Sequence, residues 1–487
     1  MTLPRLTCLL VSLYVLAGCA HNHQLRTTVA KSDVDKCSYS PDAPVPPECK
    51  TYSMEDHGNY LLSVVEFDEQ GWFRDRRQQD LLLDTLKGYG DQDVILAVYV
   101  HGWKHNADFC DSNICCFRST LDLISRLETV YSTARNEPPR KIVGVYVGWR
   151  GLSLKGADAW ENLSFYERKE AATHVALGST RELLARLRQF QTNKNRKDSP
   201  FQSARRSTRM ITLGHSFGGL IVYSAISQSM VNSTVEDAGD PSKDPVDGFG
   251  DLVVLVNPAF EASRYEPLYS VAHSRTQYPP GQTPVFVAVT STNDDATRLA
   301  FPAGRTLGSM FESYSGSGAP TGDDYQFSRA EEKQADRRTI GHVDRYRTHT
   351  LMPDPDESKP AAVPKDNAAC SCPYAENIAK IGTFKFQEEQ TERNKFFCET
   401  LDADGRRAPG WVRNYNGVVL KQERGNPDSP FWIVQTKAPV VSDHNEFYTP
   451  LFMGFLRELY DDVLTGQAFD RKVCEQKRST EQHGVGK

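Results

Sequence analysis

The sequence predicts an α/β protein with a mostly parallel central sheet and helices on both faces of that sheet. Short apolar runs alternate with longer helical stretches from about residue 58 onward, a pattern typical of parallel strands joined by helices. The runs 93–100 and 141–148 are apolar almost throughout, as expected for strands that are buried on both faces. The run 210–213 leads into a glycine-rich turn and then into an apolar helical stretch.

The predicted elements follow one another along most of the chain. A helical pattern covers 165–190, with Ala171, Val175, Leu183 and Leu187 among its apolar positions. An amphipathic helix is predicted at 451–464. The predicted strands are 60–67, 93–100, 141–148, 210–213, 251–257, 284–290 and 431–436.

Two segments lack this periodicity. Residues 19–57 are polar and rich in proline, which predicts a tether in front of a domain that spans 58–469. Residues 301–430 contain charged and Gly/Ser/Pro-rich stretches, so we interpret them as a long, partly disordered insertion before the last strand and as a candidate lid. A polar tail is predicted over 470–487.

The N-terminus has the pattern of a leader. One positive side chain, Arg5, precedes the mostly apolar stretch 6–17, which is too short to span a bilayer and is typical of a signal peptide. The sequence Leu16-Ala17-Gly18-Cys19 resembles the lipobox of bacterial lipoproteins, which implies removal of residues 1–18 and lipidation of Cys19. Ala20 replaces the aspartate that retains such proteins in the inner membrane, so we expect an outer-membrane anchor facing the periplasm. An ordinary secretory signal is the alternative.

Composition limits the remaining possibilities. The 487 residues suffice for one α/β domain with an insertion or for two domains, and a formal charge of −6 argues against a general nucleic-acid binder. Of eleven cysteines, nine remain after Cys8 and Cys19 are set aside. In an oxidising compartment these should largely form disulfides, with Cys37–Cys49 and a pair within 110–116 as the local candidates. A zinc site is disfavoured because no CxxC pair occurs.

The strongest chemical signal is Gly214-His215-Ser216-Phe217-Gly218, a G-x-S-x-G sequence between a predicted strand and a predicted helix. In a nucleophile elbow, the serine lies on a sharp strand-to-helix turn, and its glycine neighbours allow the backbone to close. The pattern alone is weak, but its position makes Ser216 the candidate nucleophile.

A serine nucleophile needs a base, and that base needs a carboxylate, both on loops that follow later strands. Asp294 follows the strand that ends at residue 290, and His444 follows the strand that ends at residue 436. Ser216, Asp294 and His444 thus occur in the order expected of a catalytic triad. Asp295 and Glu261 are alternative acids, and His342 and His349 are alternative bases.

With Val100-His101-Gly102-Trp103, these motifs resemble the α/β-hydrolases that carry a His-Gly-Trp or His-Gly-Tyr oxyanion loop. The resemblance covers roughly 58–300 and 430–465. It implies that the backbone N–H groups of Trp103 and Phe217 form the oxyanion hole. His101 is expected to shape the loop, because it precedes the nucleophile in the chain. Trp149 is expected either in the core or in the substrate pocket.

The resemblance implies a serine hydrolase that cleaves a small-molecule or lipid ester through an acyl-enzyme, without a metal or an organic cofactor. A lipase or acyltransferase that acts on envelope lipids is an alternative of the same class. A binding protein that keeps the hydrolase fold without turnover is an alternative of another class. The oligomeric state and the acyl group of the substrate are left open by the sequence.

Overall fold

The structure is a computed structural model. The predicted signal peptide, Cys19 and the polar tail lie outside the residues that it describes. These residues are 22–37, 45–134, 136–151, 165–196, 208–236, 244–279, 282–309, 312–316, 327–355, 370–381, 386–400, 406–415 and 417–466.

The chain divides into two compact units. Unit 1 comprises 1–226 with 365–375, and unit 2 comprises 227–364 with 376–487. Strands and helices alternate in both units, and most of the strand pairs are parallel. The prediction of an α/β protein with mostly parallel strands is therefore confirmed.

Unit 1 contains six of the described strands, in the order β1-β2-β3-β5-β4-β6. Every pair is parallel except the antiparallel pair β2–β3. The helices of this unit are α1 (Arg76–Gly88), α2 (Ser112–Ala134), α3 (Phe165–Leu177), α4 (Thr180–Asn195) and the first half of α5 (Phe217–Glu236). The strands are β1 (Thr28–Lys31), β2 (Tyr52–Asp56), β3 (Leu61–Glu66), β4 (Val94–Val100), β5 (Lys141–Gly148) and β6 (Arg209–His215).

Unit 2 contains the other six described strands, in the order β7-β8-β12-β9-β11-β10. The first three pairs are parallel, and the last two are antiparallel. The strands are β7 (Leu252–Val256), β8 (Phe286–Ser291), β9 (His349–Pro353), β10 (Val412–Tyr415), β11 (Val418–Gln422) and β12 (Phe431–Thr436). The helices are α6 (Glu266–Ser274), α7 (Phe301–Gly308), α8 (Arg329–Arg337), α9 (Ala375–Lys380), α10 (Phe386–Thr400) and α11 (Pro450–Gly466).

The prediction of a single helix over 165–190 is wrong, because two helices occupy this region. α3 ends at Leu177 and α4 begins at Thr180. Gly178 lies against Gly71, where an added Cβ would overlap the backbone of Gly71. The helix is therefore interrupted at Gly178, where a residue without a side chain is needed for this contact.

The tether prediction is wrong for the described part of 19–57. β1 pairs with β2 inside the sheet, and Arg26 is fully buried with its Nη1 2.8 Å from Oε1 of Glu55. The backbone N–H groups of Leu25 and Arg26 donate to the carboxylate of Glu66. The polar composition of this segment therefore did not indicate exposure. Its arginine, Arg26, is paired with Glu55, and a paired charge can be buried where an isolated one cannot.

The interpretation of 301–430 as an insertion outside the sheet, and as a candidate lid, is wrong for its described strands. β9 pairs with β12, β11 pairs with β9, and β10 pairs with β11. These strands have only four or five residues each. In strands this short, polar and apolar residues alternate too few times to give a clear strand pattern, so their sequence resembles that of a loop.

The disulfide Cys37–Cys49 is confirmed, whereas the pair predicted within 110–116 is wrong. Cys110 bonds to Cys370, and Cys116 bonds to Cys372. Both bonds join positions more than 250 residues apart in sequence, a pairing that local spacing cannot reveal. Cys115 is a buried free thiol, and burial raises its pKa to about 11. Across the described helices, none has the length and apolar character needed to cross a membrane.

Candidate active site

Unit 1 brings three loops together at the carboxyl edge of its sheet. β4 lies between β5 and β6, and the three strands run parallel. Val100 at the end of β4 is in register with Val147 on one side and Gly214 on the other. The loops that follow these strands therefore lie side by side, and they carry the 101–103 motif, Trp149 and Ser216.

Ser216 occupies the turn between β6 and α5. Its φ is 56°, in the left-handed region that residues other than glycine rarely adopt. The neighbouring glycines make this turn possible: a Cβ at Gly214 would lie 2.8 Å from the carbonyl oxygen of Gly218, and a Cβ at Gly218 would overlap the carbonyl oxygen of Val100. The turn therefore has the strained strand-to-helix conformation of a nucleophile elbow.

The loop after β4 passes close to this turn. A Cβ at Gly102 would lie 2.6 Å from the Cβ of Ser216, so only glycine fits there without displacement. The rings of Trp103 and Phe217 both contact Phe165, at centroid distances of 5.4 and 4.8 Å. The two backbones predicted to form the oxyanion hole thus share one aromatic support at the start of α3.

His101 holds this loop in place. The backbone N–H of Trp149 donates to its Nε2 (3.1 Å), and its Nδ1 lies 2.9 Å from the carbonyl oxygen of Gly102. The indole of Trp149 stacks on the His101 ring and donates to the His101 carbonyl oxygen. Burial lowers the pKa of His101 to about 4, so the ring is neutral at neutral pH. These contacts support the loop-shaping role expected for His101, and they place Trp149 in the core of unit 1.

Unit 2 brings Asp294 and His444 together. Asp294 follows β8 and His444 follows β12, and these strands are parallel, with Ser291 in register with Thr436. Oδ2 of Asp294 lies 2.8 Å from Nδ1 of His444, and both side chains are buried. Since an ionised carboxylate only accepts hydrogen bonds, Nδ1 carries the proton and Nε2 is the basic nitrogen of the neutral ring.

Asp294 has a second partner, Thr297. The Thr297 hydroxyl donates to Oδ2 of Asp294 at 2.6 Å, and its backbone N–H donates to Oδ1 at 3.1 Å. Burial by itself raises the pKa of Asp294, but the electrostatic interaction with His444 and the hydrogen bonds from His444 and Thr297 outweigh it. The pKa of Asp294 is therefore below its ordinary value. The carboxylate stays ionised and fixed in direction.

Hydrogen bonds also fix the backbone around His444. Nδ2 of Asn257 donates to the carbonyl oxygen of His444 at 3.0 Å, and Oδ1 of Asn257 accepts from the backbone N–H of Ser291 at 2.9 Å. The Ser291 hydroxyl donates to the carbonyl oxygen of Val441. The loops that carry the acid and the histidine are thus joined by side chains at the ends of β7 and β8.

The alternative acids lie elsewhere. Asp295 is exposed and pairs with Arg298 at 2.6 Å, and Glu261 pairs with Arg264 at 2.9 Å. Of the two alternatives and Asp294, only Asp294 contacts a predicted base in the part of the chain that the structure describes.

The alternative bases have other surroundings. Nε2 of His342 lies 3.1 Å from the Thr297 hydroxyl, so His342 contacts the hydrogen-bond network of Asp294 from its far side. Burial lowers the pKa of His342 to about 4. His349 is buried between the rings of Trp411 and Trp432.

The predicted residues therefore form two groups. Ser216, Gly102, Trp103 and Phe217 belong to unit 1, and Asp294 and His444 belong to unit 2. No family model, curated protein or solved structure matches the chain. The function must therefore be inferred from the side chains themselves.

Sequence reasoning missed Thr297, Asn257 and the contact of His342. Asn257 is the last residue of a predicted strand, and a polar side chain at the carboxyl edge of a parallel sheet is a usable signal. Thr297 stands three residues after Asp294, a spacing that brings a hydroxyl back to a carboxylate at the start of a helical turn. Nothing in the sequence around His342 indicates its partner.

Proposed function

We propose that the protein is a serine hydrolase of the α/β-hydrolase type that cleaves a carboxylic ester through Ser216, His444 and Asp294. The buried Asp294–His444 hydrogen bond is the observation that carries this proposal. It fixes one imidazole tautomer next to an ionised carboxylate, which is the arrangement that makes a histidine an effective general base. The strained conformation of Ser216 supports the assignment of the nucleophile.

In the proposed reaction, Oγ of Ser216 attacks the ester carbonyl carbon while Nε2 of His444 accepts the hydroxyl proton. The C–O bond to the alcohol then breaks, and His444 returns the proton to the departing alcohol oxygen. Water attacks the resulting acyl-enzyme by the same route, which releases the acid and restores Ser216. Asp294 stabilises the imidazolium that forms in each half of the reaction.

The oxyanion of each tetrahedral intermediate is proposed to accept hydrogen bonds from the backbone N–H groups of Trp103 and Phe217. Such donors act on charge that develops only near the transition state, and the loss of one typically costs about 3–4 kcal/mol. The stacked His101 and Trp149 rings support this role, because they hold the loop that carries Trp103.

We further propose that Cys19 carries a lipid anchor and that the enzyme faces the periplasm from the outer membrane. The disulfides of unit 1 support an oxidising compartment. Because such an anchor would place the enzyme beside envelope lipids, a lipase or acyltransferase that acts on these lipids is a second proposed function of the same class.

Turnover of a panel of p-nitrophenyl esters with acyl chains of increasing length tests the proposed function. The wild-type protein should hydrolyse at least one chain length, and Ser216→Ala should lose this activity. Ser119→Ala is the matched control and should retain activity, because Ser119 lies on α2 and its Oγ donates to the carbonyl oxygen of Cys115 in the same helix. A folded wild-type protein that turns over no ester, thioester or amide would instead favour a binding protein.

A further inference from the structure

The carboxyl edge of the unit 1 sheet carries Ser216, and it also carries an exposed apolar patch. The loop after β3 places Trp72 at its tip with 70% of its surface exposed, and Leu177 at the end of α3 is 51% exposed. The two lie together, since Gly71 packs against Gly178 and the backbone N–H of Ser179 donates to the carbonyl oxygen of Gly71 at 2.7 Å. Tryptophan is largely buried on average, so the exposure of Trp72 is uncommon, and adjoining exposed apolar side chains mark interaction sites more often than isolated ones do.

α3 connects this patch to the candidate nucleophile. Its first residue, Phe165, contacts Phe217 next to Ser216, and its last turn adjoins Gly71. Between these ends, Nη1 of Arg168 bonds to Glu69 and to the carbonyl oxygen of Arg150 after β5. α3 therefore lies across the carboxyl edge, and its 13 residues span about 18 Å. The patch and Ser216 lie on the same edge of unit 1.

The first described residues of the chain contact the segment that carries Trp72. Oδ1 of Asn22 accepts a hydrogen bond from Nη2 of Arg74 at 2.5 Å, and Arg74 is two residues beyond Trp72. Glu66, at the end of β3, holds the backbone N–H groups of Leu25 and Arg26. Cys19 is three residues before Asn22, so the chain between them can reach about 10 Å at most. A lipid on Cys19 would therefore be tied close to Trp72.

We propose that this edge of unit 1 rests on a phospholipid surface and that the substrate is an ester of a membrane lipid. Trp72 and Leu177 enter the interfacial region of the bilayer, where tryptophan is favoured because it has an apolar body and a polar N–H. This inference rests on the proposed lipid anchor and on the proposed hydrolase. It deepens them, because a lipid only three residues from Asn22 would keep the edge that carries Ser216 near the membrane, which suits a lipid ester better than a dissolved one.

Membrane contact is tested with the full-length lipidated protein in phospholipid vesicles that contain lipids brominated on their acyl chains. Bromine quenches tryptophan fluorescence only at short range, so the difference between wild type and Trp72→Phe reports the surroundings of Trp72. We expect brominated lipid to quench the wild type clearly more than Trp72→Phe. Equal quenching of the two proteins would overturn the proposed membrane contact.

The substrate class is tested by the ratio of activity on a lipid ester in vesicles to activity on a dissolved short-chain ester. Leu177→Asp should lower this ratio by about tenfold, since it replaces the burial of one large apolar side chain by a charge. Val130→Asp is the matched control: Val130 is also exposed (47%) but lies near the end of α2, where Glu128 bonds to Arg140 just before β5. This substitution at the opposite edge should leave the ratio unchanged.

The outcomes separate the two proposals, because quenching needs no turnover. Quenching specific to Trp72 without any ester hydrolysis would reject the hydrolase and keep the membrane contact. Hydrolysis of dissolved ester with equal quenching of wild type and Trp72→Phe would reject the membrane contact and keep the hydrolase. A third outcome is quenching specific to Trp72 together with a ratio of vesicle activity to dissolved-ester activity that is the same in wild type and Leu177→Asp. This outcome would reject a membrane lipid as the substrate.

Discussion

Nδ1 of His444 lies 2.8 Å from Oδ2 of Asp294, and both side chains are withdrawn from solvent. The same carboxylate oxygen accepts a hydrogen bond from the hydroxyl group of Thr297. Two donors on one oxygen leave the carboxylate little freedom to rotate, so the imidazole has a fixed partner. This relationship within unit 2 underlies the proposed role of His444 as the base.

Asp294→Asn should lower kcat for ester hydrolysis by about 10⁴-fold. An amide N–H facing Nδ1 would favour the tautomer whose proton is on Nε2, and that nitrogen could then no longer act as a base. Asp295→Asn changes an exposed neighbour that pairs with Arg298, and it should alter kcat by no more than about twofold. Steady-state kinetics with one ester compares the two, and the reverse ranking would move the acid to Asp295.

Thr297→Val should lower kcat by about tenfold while KM stays near its wild-type value, because the hydroxyl orients Asp294 without contacting substrate. Thr297→Ser keeps the hydroxyl and should restore most of the rate. His342→Ala removes the partner on the far side of Thr297, and its effect should be in the same direction but smaller. A change in KM alone would show that Thr297 acts on substrate binding instead.

Gly102→Ala should reduce both stability and activity. The added methyl would lie 2.6 Å from the Cβ of Ser216, and overpacking of this kind typically costs about 1–3 kcal/mol. Gly88→Ala is the matched control, since an added methyl there meets nothing within 4 Å. It ends helix α1, where alanine is favoured over glycine by up to about 1 kcal/mol. Thermal unfolding of both variants checks the contrast; equal Tm values would contradict the close approach of the loop.

How far the sequence predicts this structure depends on where each element lies. The strands that are buried on both faces, such as β4, β5 and β8, were predicted because such burial demands continuous apolar runs. The β9–β11 strands were missed, since their side chains mix polar and apolar types without clear alternation. The partners of Cys110 and Cys116 were missed because they are distant in sequence.

The candidate site divides in the same way. Ser216, Asp294 and His444 are candidates in the sequence because each follows a predicted strand. Asp294 and Asp295 share one sequence context, whereas their direction and burial differ in the structure: Asp294 bonds to His444 and Asp295 pairs with Arg298.

Stability should fall as the pH is lowered from about 6.5 to 4. Burial lowers the pKa of His101 to about 4 and that of His349 to about 3, whereas both protonate near pH 6.5 in the unfolded chain. Between these values the unfolded state binds more protons, so each histidine lowers the free energy of unfolding by up to about 1.4 kcal/mol per pH unit. Urea midpoints at pH 8, 7, 6 and 5 measure the slope. His349→Gln should make it shallower, and a midpoint that is flat from pH 7 to 5 would contradict the prediction.

Mapping of a fluorophosphonate adduct by mass spectrometry tests whether Ser216 is a nucleophile that His444 activates. We expect one adduct, on the peptide that contains Ser216, and its formation should be slowed by His444→Gln and abolished by Ser216→Ala. An adduct on a different residue, or one that persists in Ser216→Ala, would contradict this expectation.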